Sequence, residues 1–260
     1  MTIRFSTGVR NGLAGPLGFG GMFNRGYMEI YSGAQPATAD AAKTGTLLGV
    51  VTANSGALTK ETPATGTIVI TGAASGSINT VTVGTFNIIP DGAVSAVAGD
   101  TAATAAALNE AINRNGIYTS TVSGSTVTIS PRPGVGAAHN GLALTASLTT
   151  VTATYGGGTV SGGVAPANGL ILSTPSTGVI SKLSSQVWSF AGVAAGTAGW
   201  FRFYSSDTND AGAIISAAPF YPRMDGSCGV GTGDAQLSSL LVSVGSPHTV
   251  DRFTFTVPAA

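Results

Sequence analysis

The chain has 260 residues and a mass of 25.5 kDa, and it combines 38 glycines with very few charges. Only 8% of its residues are charged, against roughly 25% in ordinary globular domains, and 11 basic residues balance 11 acidic ones. Without a Lys/Arg cluster it lacks the electrostatic footprint of a nucleic-acid-binding protein, and no apolar run approaches the roughly 18 residues of a membrane span. We also expect no secretory signal, because no apolar stretch follows the first residues. A surface so poor in charge is weakly protected against association, so the composition indicates a component of an assembly.

The N-terminal region predicts a short helix that begins at Ser6 or Thr7 and ends between Gly12 and Gly15. A glycine-punctuated loop, residues 12–26, overlaps its end. This loop carries five apolar side chains that look exposed, namely Leu13, Leu17, Phe19, Met22 and Phe23. An exposed patch of this kind is typical of an interaction site, so we expect an assembly contact here. The alternative is that the loop folds over its own β core.

Through the rest of the chain, alternating Thr, Val and Ile residues predict β-strands separated by glycine-containing turns. The clearest runs are 67–70, 80–86, 126–129, 148–154, 200–204 and 252–257. Only residues 102–114 have the pattern of a long helix. Asp100 gives an N-cap signal, Leu108 and Ile112 lie on one apolar face, and Asn115-Gly116 ends the segment.

The order of these elements predicts two domains. Residues 65–150 combine strands, the capped helix and a hairpin between glycine-rich flanks, so we expect an inserted small α+β module containing one helix. Residues 1–60 and 160–260 hold both tryptophans, as an independent core needs, and would form one discontinuous domain. The predicted fold class is therefore mainly β, with a jelly-roll-like β-sandwich as the outer domain. Residues 133–181 carry no charge, and we expect neighbouring subunits to cover this stretch as well as residues 12–26.

Groups that could carry hydrolytic chemistry are few. A hydrolase would use His248 as base, with Asp251 to orient it and a serine as nucleophile. However, Ser-Pro-His-Thr is typical of a surface turn before the last strand, and His139 lies in a polar loop with the same interpretation. Two tryptophans, Trp188 and Trp200, could stack on a sugar in a glycan-binding module, but core tryptophans are the commoner case.

Candidate metal and nucleotide sites are weak as well. Asp207 and Asp210 resemble a fragment of a calcium loop but lack the glycine and terminal glutamate of that pattern, and Asp225 with Asp234 is a further carboxylate pair. The glycine-rich runs 229–233 and 18–21 open no evident helix, as a phosphate-binding loop would. Cys228 is the only cysteine, which excludes an internal disulfide and a Cys-based zinc site, and we expect a buried or half-buried thiol. The sequence thus predicts no enzyme, no cofactor and no metal.

Two sets of motifs are familiar. The insert resembles a small module embedded in many tailed-phage virion proteins, including tail sheath and baseplate-associated ones. Its matching stretches are 66–72, 80–83, 98–102, 105–113, 122–129 and 136–141. The outer domain resembles a family of tailed-phage structural proteins. Its matching stretches are 6–11, 29–42, 45–48, 197–203, 223–227 and 253–258.

The resemblance implies a part of a virion, made in the cytoplasm of the host bacterium, and not a catalyst. We expect a capsid decoration (cement) protein that stabilises the assembled head. A tail, collar or fibre-attachment component is the first alternative, and a receptor- or glycan-binding module is the second. The expected partners are copies of the chain itself, as a homo-oligomer, and a major capsid or tail protein, with no nucleic acid and no membrane.

Overall fold

The computed structural model describes residues 3–14, 18–132, 134–207 and 222–257. It divides into two units, the first formed by Met1–Glu61 with Pro166–Ala260 and the second by Thr62–Ala165. The fold is mainly β, with 49% strand and 13% helix, which confirms the predicted class. None of the described helices is long and apolar enough to cross a membrane.

The first part of the chain contains β1 (Arg4–Phe5), α1 (Thr7–Ala14), α2 (Phe19–Phe23), β2 (Tyr27–Ser32) and β3 (Leu47–Ala53). The second unit contains β4 (Thr65–Val83), β5 (Phe86–Asn87), β6 (Val94–Ser95), α3 (Thr101–Asn113), β7 (Tyr118–Ser123), β8 (Thr126–Pro131), a 3-10 turn (Gly136–His139) and β9 (Leu144–Ser161). The chain then returns to the first unit with β10 (Val179–Ser181), β11 (Trp188–Ala191), β12 (Gly196–Tyr204), β13 (Arg223–Gly229), β14 (Ala235–Leu237), β15 (Leu241–Val242) and β16 (Pro247–Thr256).

The first unit is a closed barrel of seven strands. The hydrogen-bonded ring runs β13-β14-β16-β11-β3-β2-β12 and returns to β13. Every neighbouring pair in the ring is antiparallel except β13 with β14. The predicted jelly-roll-like sandwich is not confirmed. In a sandwich each sheet keeps free edges, whereas here β12 is bonded to β2 on one side and to β13 on the other, which closes the ring.

Alternation along β12 creates two buried faces. Phe201 and Phe203 point into the barrel core, where Phe203 meets the Trp188 ring at a centroid distance of 5.8 Å. Burying side chains of this size contributes about 1.5–3 kcal/mol each. Trp200, Arg202 and Tyr204 point outward and are still almost fully buried. Trp200 and Tyr204 stack on Tyr31 and Tyr27 of β2, and the Arg202 guanidinium donates a hydrogen bond to the Ala41 carbonyl in the loop between β2 and β3.

The second unit is a sheet with one helix packed on it. Strand β4 is central, with β8 and then β7 on one side and β9 on the other. Helix α3 forms where the sequence predicts it, because Asp100 accepts a hydrogen bond from the Ala103 amide and Leu108 and Ile112 bury against the sheet. This unit reaches Ala165, beyond the predicted end at residue 150, because β9 pairs with β4 along almost its whole length.

Candidate assembly surface

The segment predicted as an adhesive loop, residues 12–26, contains the end of α1 and the whole of α2, which packs on the barrel. Phe19, Met22 and Phe23 are at most 6% exposed, so the exposure expected for them is wrong. They occupy positions i, i+3 and i+4 of α2 and form one apolar face, which packs on the core. Leu13 is 40% exposed, as expected, and Leu17 lies outside the described residues. The helical spacing of the three buried residues was visible in the sequence, but the surrounding glycines favoured a loop.

Aromatic stacking fixes α2 on the barrel. The Phe19 ring lies 4.2 Å from the Phe255 ring, centroid to centroid, at an interplanar angle of 18°. Phe23 packs 4.9 Å from Phe203. Aromatic pairs of this kind contribute about 0.5–1.5 kcal/mol beyond the area that they bury. The alternative prediction for this segment was a loop folded over its own β core. The apolar side chains of α2 do pack on that core, as this alternative expects.

The other face of α2 borders an apolar cleft of about 480 Å³. Gly18, Gly20 and Gly21 form one wall, and a Cβ added at Gly18 would meet no atom within 4 Å. Most of the other lining residues come from β10, from the segment that precedes it and from the end of β16. They are Phe19, Asn24, Leu172, Ser173, Thr174, Pro175, Gly178, Val179, Ile180, Phe255 and Val257. None of the described residues that line the cleft is charged, so the cleft can accept an apolar side chain or a short extended segment of a neighbour.

A second cleft, of about 420 Å³, lies on the outer face of the barrel. Its lining includes Tyr27, Glu29 and Lys60, and the Lys60 ammonium lies 4.7 Å from the centre of the Tyr27 ring. The Glu29 carboxylate accepts hydrogen bonds from the hydroxyls of Tyr31 at 2.6 Å and Tyr204 at 2.8 Å. These bonds tie Glu29 to the barrel wall and give it a structural role.

The three groups of the hydrolase hypothesis do not meet. His248 is buried in β16 and stacks on Phe190, so its expected place in a surface turn is wrong. Its Nε2 lies 2.8 Å from the Ser246 hydroxyl, which itself donates to the Ser243 carbonyl at 2.6 Å. Asp251 accepts from the Thr249 hydroxyl at 2.5 Å and is exposed, on the opposite face of the strand from His248. No carboxylate in this arrangement orients the imidazole.

The other histidine is part of a packed aromatic group in the second unit. The Tyr118 hydroxyl lies 2.9 Å from His139 Nδ1, and the Phe86 ring stacks on the tyrosine ring at a centroid distance of 6.1 Å. Burial lowers the pKa of His139 and raises the pKa of Tyr118 to about 12. Both groups are therefore neutral at pH 7, and the hydrogen bond between them ties the 3-10 turn to β7.

The carboxylates that the sequence suggested as pairs each bond to a different partner, and each has a structural role. Asp225 forms a two-pronged ion pair with Arg202, while Asp234 accepts from the amide and the hydroxyl of Ser227 at 2.8 and 2.7 Å. Asp207 accepts from the Ser205 hydroxyl at 2.6 Å, and its proposed partner Asp210 lies outside the described residues. Burial raises the pKa of Asp207 to about 6. Within the ranges that the structure covers, no group of three or more His, Cys, Asp or Glu residues could hold a metal ion.

The remaining candidates are packed into the barrel wall. Cys228 is a half-buried thiol in β13, as expected, and burial and then the charge of Asp234 raise its pKa, which suppresses the reactive thiolate. Trp188 and Trp200 have no exposed surface. Neither indole has a face open to a sugar, so these residues do not support glycan binding.

No protein-family model matches this chain, and no curated protein matches it.

Proposed function

We propose that this chain is a structural protein of a tailed-bacteriophage virion, and specifically a capsid decoration protein that binds the assembled head. The observation that carries the proposal is an apolar cleft, free of charged residues, on a chain of which only 8% of residues are charged. The motif resemblance of both units to virion proteins supports the same function. The protein would be made in the host cytoplasm, with copies of itself and a major capsid protein as partners and no cofactor.

The cleft suits a protein that is stable alone and binds a finished shell. Its floor is the stacked pair of Phe19 and Phe255, which are 6% and 9% exposed and already held by the barrel. Because the site is preformed, a neighbour's apolar side chain would be buried at little cost in ordering. A protein that binds only the assembled state shifts the equilibrium towards that state, which is how a decoration protein stabilises a head.

A tail or collar component is the second candidate, favoured by the resemblance of residues 65–150 to a module of tail sheath and baseplate proteins. Copy number separates the two. Purified particles of the phage that encodes the chain should contain hundreds of copies if it decorates the head, and about six to a few dozen if it belongs to a ring in the tail. Absence from purified particles would refute both forms of the proposal.

A matched pair of variants tests the cleft. Val257 lines the cleft and Val230 lies in the glycine-rich turn after β13, and each is 57% exposed. Val257→Glu would place a charge in an apolar interface, so we expect at least about a tenfold weaker binding to particles that lack the protein, a change of about 1.4 kcal/mol. Val230→Glu should bind as the wild type does. Equal binding by the two variants would show that the cleft is not the assembly contact.

A further inference from the structure

The outer edge of β9 is a second surface with a definite chemistry. Strand β9 has 18 residues and lies at one side of the sheet of the second unit. Among the described residues, its stretch from Thr145 to Gly158 pairs with β4 and with no other strand. Its backbone groups that point away from β4 therefore form a row of donors and acceptors. Residues Val151–Gly156 pair with β4 without a break on the β9 side, and they form one of the two six-residue runs of β9, the other being Leu144–Thr149.

The opposite edge of the same sheet, β7, is closed by side chains from the end of α3. The Asn113 side-chain amide donates to the Ser120 carbonyl at 3.0 Å, and its oxygen accepts from the Ser120 amide at 2.9 Å. Asn115 likewise accepts from the Tyr118 amide at 3.1 Å. These asparagines replace the bonds that a neighbouring strand would make at Tyr118 and Ser120, so the first half of β7 is closed to pairing, whereas β9 has no such cover among the described residues.

The sequence of β9 also lacks the features that discourage edge pairing. Soluble proteins protect long edges with charged residues, prolines or bulges. Strand β9 contains no charge and no proline, and its residues with positive φ, namely Thr150, Gly157 and Gly158, lie outside the Val151–Gly156 run. The strand also lies within the uncharged stretch 133–181, so its neighbours in the chain add no charge.

We propose that two copies of this chain pair antiparallel along Val151–Gly156 and form one continuous sheet across their second units. A twofold axis makes such an interface isologous, so the same segment gives donors and acceptors on both sides. Pairing identical strands is penalised when like charges meet, and Val151–Gly156 contains none. A second copy fits this edge better than an unrelated partner because the segment is complementary to itself and has no charge to match. The inference concerns the second unit alone and does not depend on the virion proposal.

The test uses the full chain and its oligomeric state. Analytical ultracentrifugation across a concentration series should reveal a reversible dimer. Thr152→Lys with Thr154→Lys adds two exposed charges to each β9 edge, and we expect the dimer dissociation constant to rise at least about tenfold. Thr121→Lys is the matched control, because Thr121 is an exposed threonine on the closed edge β7, and it should leave the constant unchanged. Far-UV circular dichroism checks that each variant is folded.

A cysteine scan provides an independent measurement. Single substitutions Thr152→Cys, Ala153→Cys and Thr154→Cys should give a disulfide-linked dimer under mild oxidation, with one clear maximum, because only residues near the twofold axis approach within the roughly 4.4–6.8 Å that a disulfide spans between Cα atoms. Thr121→Cys and the wild type, whose only thiol is the half-buried Cys228, should not cross-link. A wild type that stays monomeric at all concentrations, or a lysine double variant that dimerises like the wild type, would overturn the proposal. Either result would leave the copy-number test of virion function untouched.

Discussion

The buried ion pair between Arg202 and Asp225 gives the sharpest test of how the barrel is stabilised. The two residues face each other across β12 and β13. Arg202 Nε lies 2.6 Å from one carboxylate oxygen and Nη2 lies 2.8 Å from the other, and the two residues are 1% and 0% exposed. The third guanidinium nitrogen donates to the Ala41 carbonyl at 3.0 Å, so the pair also fixes the loop over the barrel's outer face.

The substitution Asp225→Asn keeps the shape of the side chain and removes its charge. The amide retains one acceptor for Arg202 but turns an NH2 group towards a guanidinium N–H, so one charge-assisted hydrogen bond is lost, at about 1.5–3 kcal/mol. The guanidinium also remains buried without its counter-ion, and breaking a buried pair in this way typically costs about 3–5 kcal/mol in total. We expect the free energy of unfolding of the barrel to fall by that amount.

Urea unfolding followed by tryptophan fluorescence measures this loss, because Trp188 and Trp200 are the only tryptophans and both belong to the first unit. With a slope of about 2 kcal/mol per molar urea, the midpoint should fall by about 1.5–2.5 M. Arg114→Gln is the control. Arg114 pairs with Glu110 and Asp91 on the surface and is 51% exposed, so its loss should change stability by less than about 1 kcal/mol. An Asp225→Asn variant within about 1 kcal/mol of the wild type would refute the reasoning.

Two further predictions concern single polar groups. Asn113→Ala removes three hydrogen bonds between α3 and β7, including one from the Thr119 hydroxyl at 2.8 Å, and should destabilise the second unit by about 2–3 kcal/mol. Hydrogen exchange of the Ser120 amide should accelerate accordingly, whereas Thr119→Val, which removes one of the three bonds, should have a smaller effect, and equal effects would contradict this assignment. Burial raises the folded-state pKa of Asp207 to about 6, so between about pH 4 and pH 6 the unfolded carboxyl is ionised while the folded one keeps its proton, and stability falls as pH rises through this window. Asp207→Asn should therefore be more stable than the wild type by up to about 3 kcal/mol at pH 7.5 and equal to it near pH 4 in urea titrations, and a difference that does not depend on pH would refute the pKa shift.

Local signals predicted the local structure. Helix α3 was expected because an N-cap, an apolar face and a closing Asn-Gly lie within 16 residues of one another, and it forms over Thr101–Asn113. The Ser-Gly-Ser turn between β7 and β8 was expected for the same reason. Barrel closure was not expected, because it depends on β12 pairing with β2, about 170 residues earlier in the chain, and period-2 patterns do not specify a partner.

The candidate site was harder to predict because burial depends on tertiary context. Three of the five apolar residues predicted as an assembly contact belong to the core, and of these only Phe19 lines the cleft on the glycine side of α2. Leu172, Val179 and Val257 of that cleft come from segments at least 148 residues further along the chain than Phe23, the last residue of α2. The residues of the two walls are far apart in the sequence. The sequence could therefore indicate residues 12–26 as an interaction region but could not predict the cleft.

The distribution of the charged residues bears on the proposal that neighbours cover this protein. Among the described residues, five of the few charged side chains are buried, namely Glu61, Arg132, Arg202, Arg223 and Asp225. Those five side chains lie in the interior and give the surface no protection against association, so the surface carries fewer charges than the sequence contains. The exposed aliphatic residues include Leu241 and Val244, each 70% exposed, on a stretch from 235 to 250 without a charge. Few surface charges together with exposed aliphatic side chains protect a protein only weakly against association, which is the physical reason to look for this chain within an assembly.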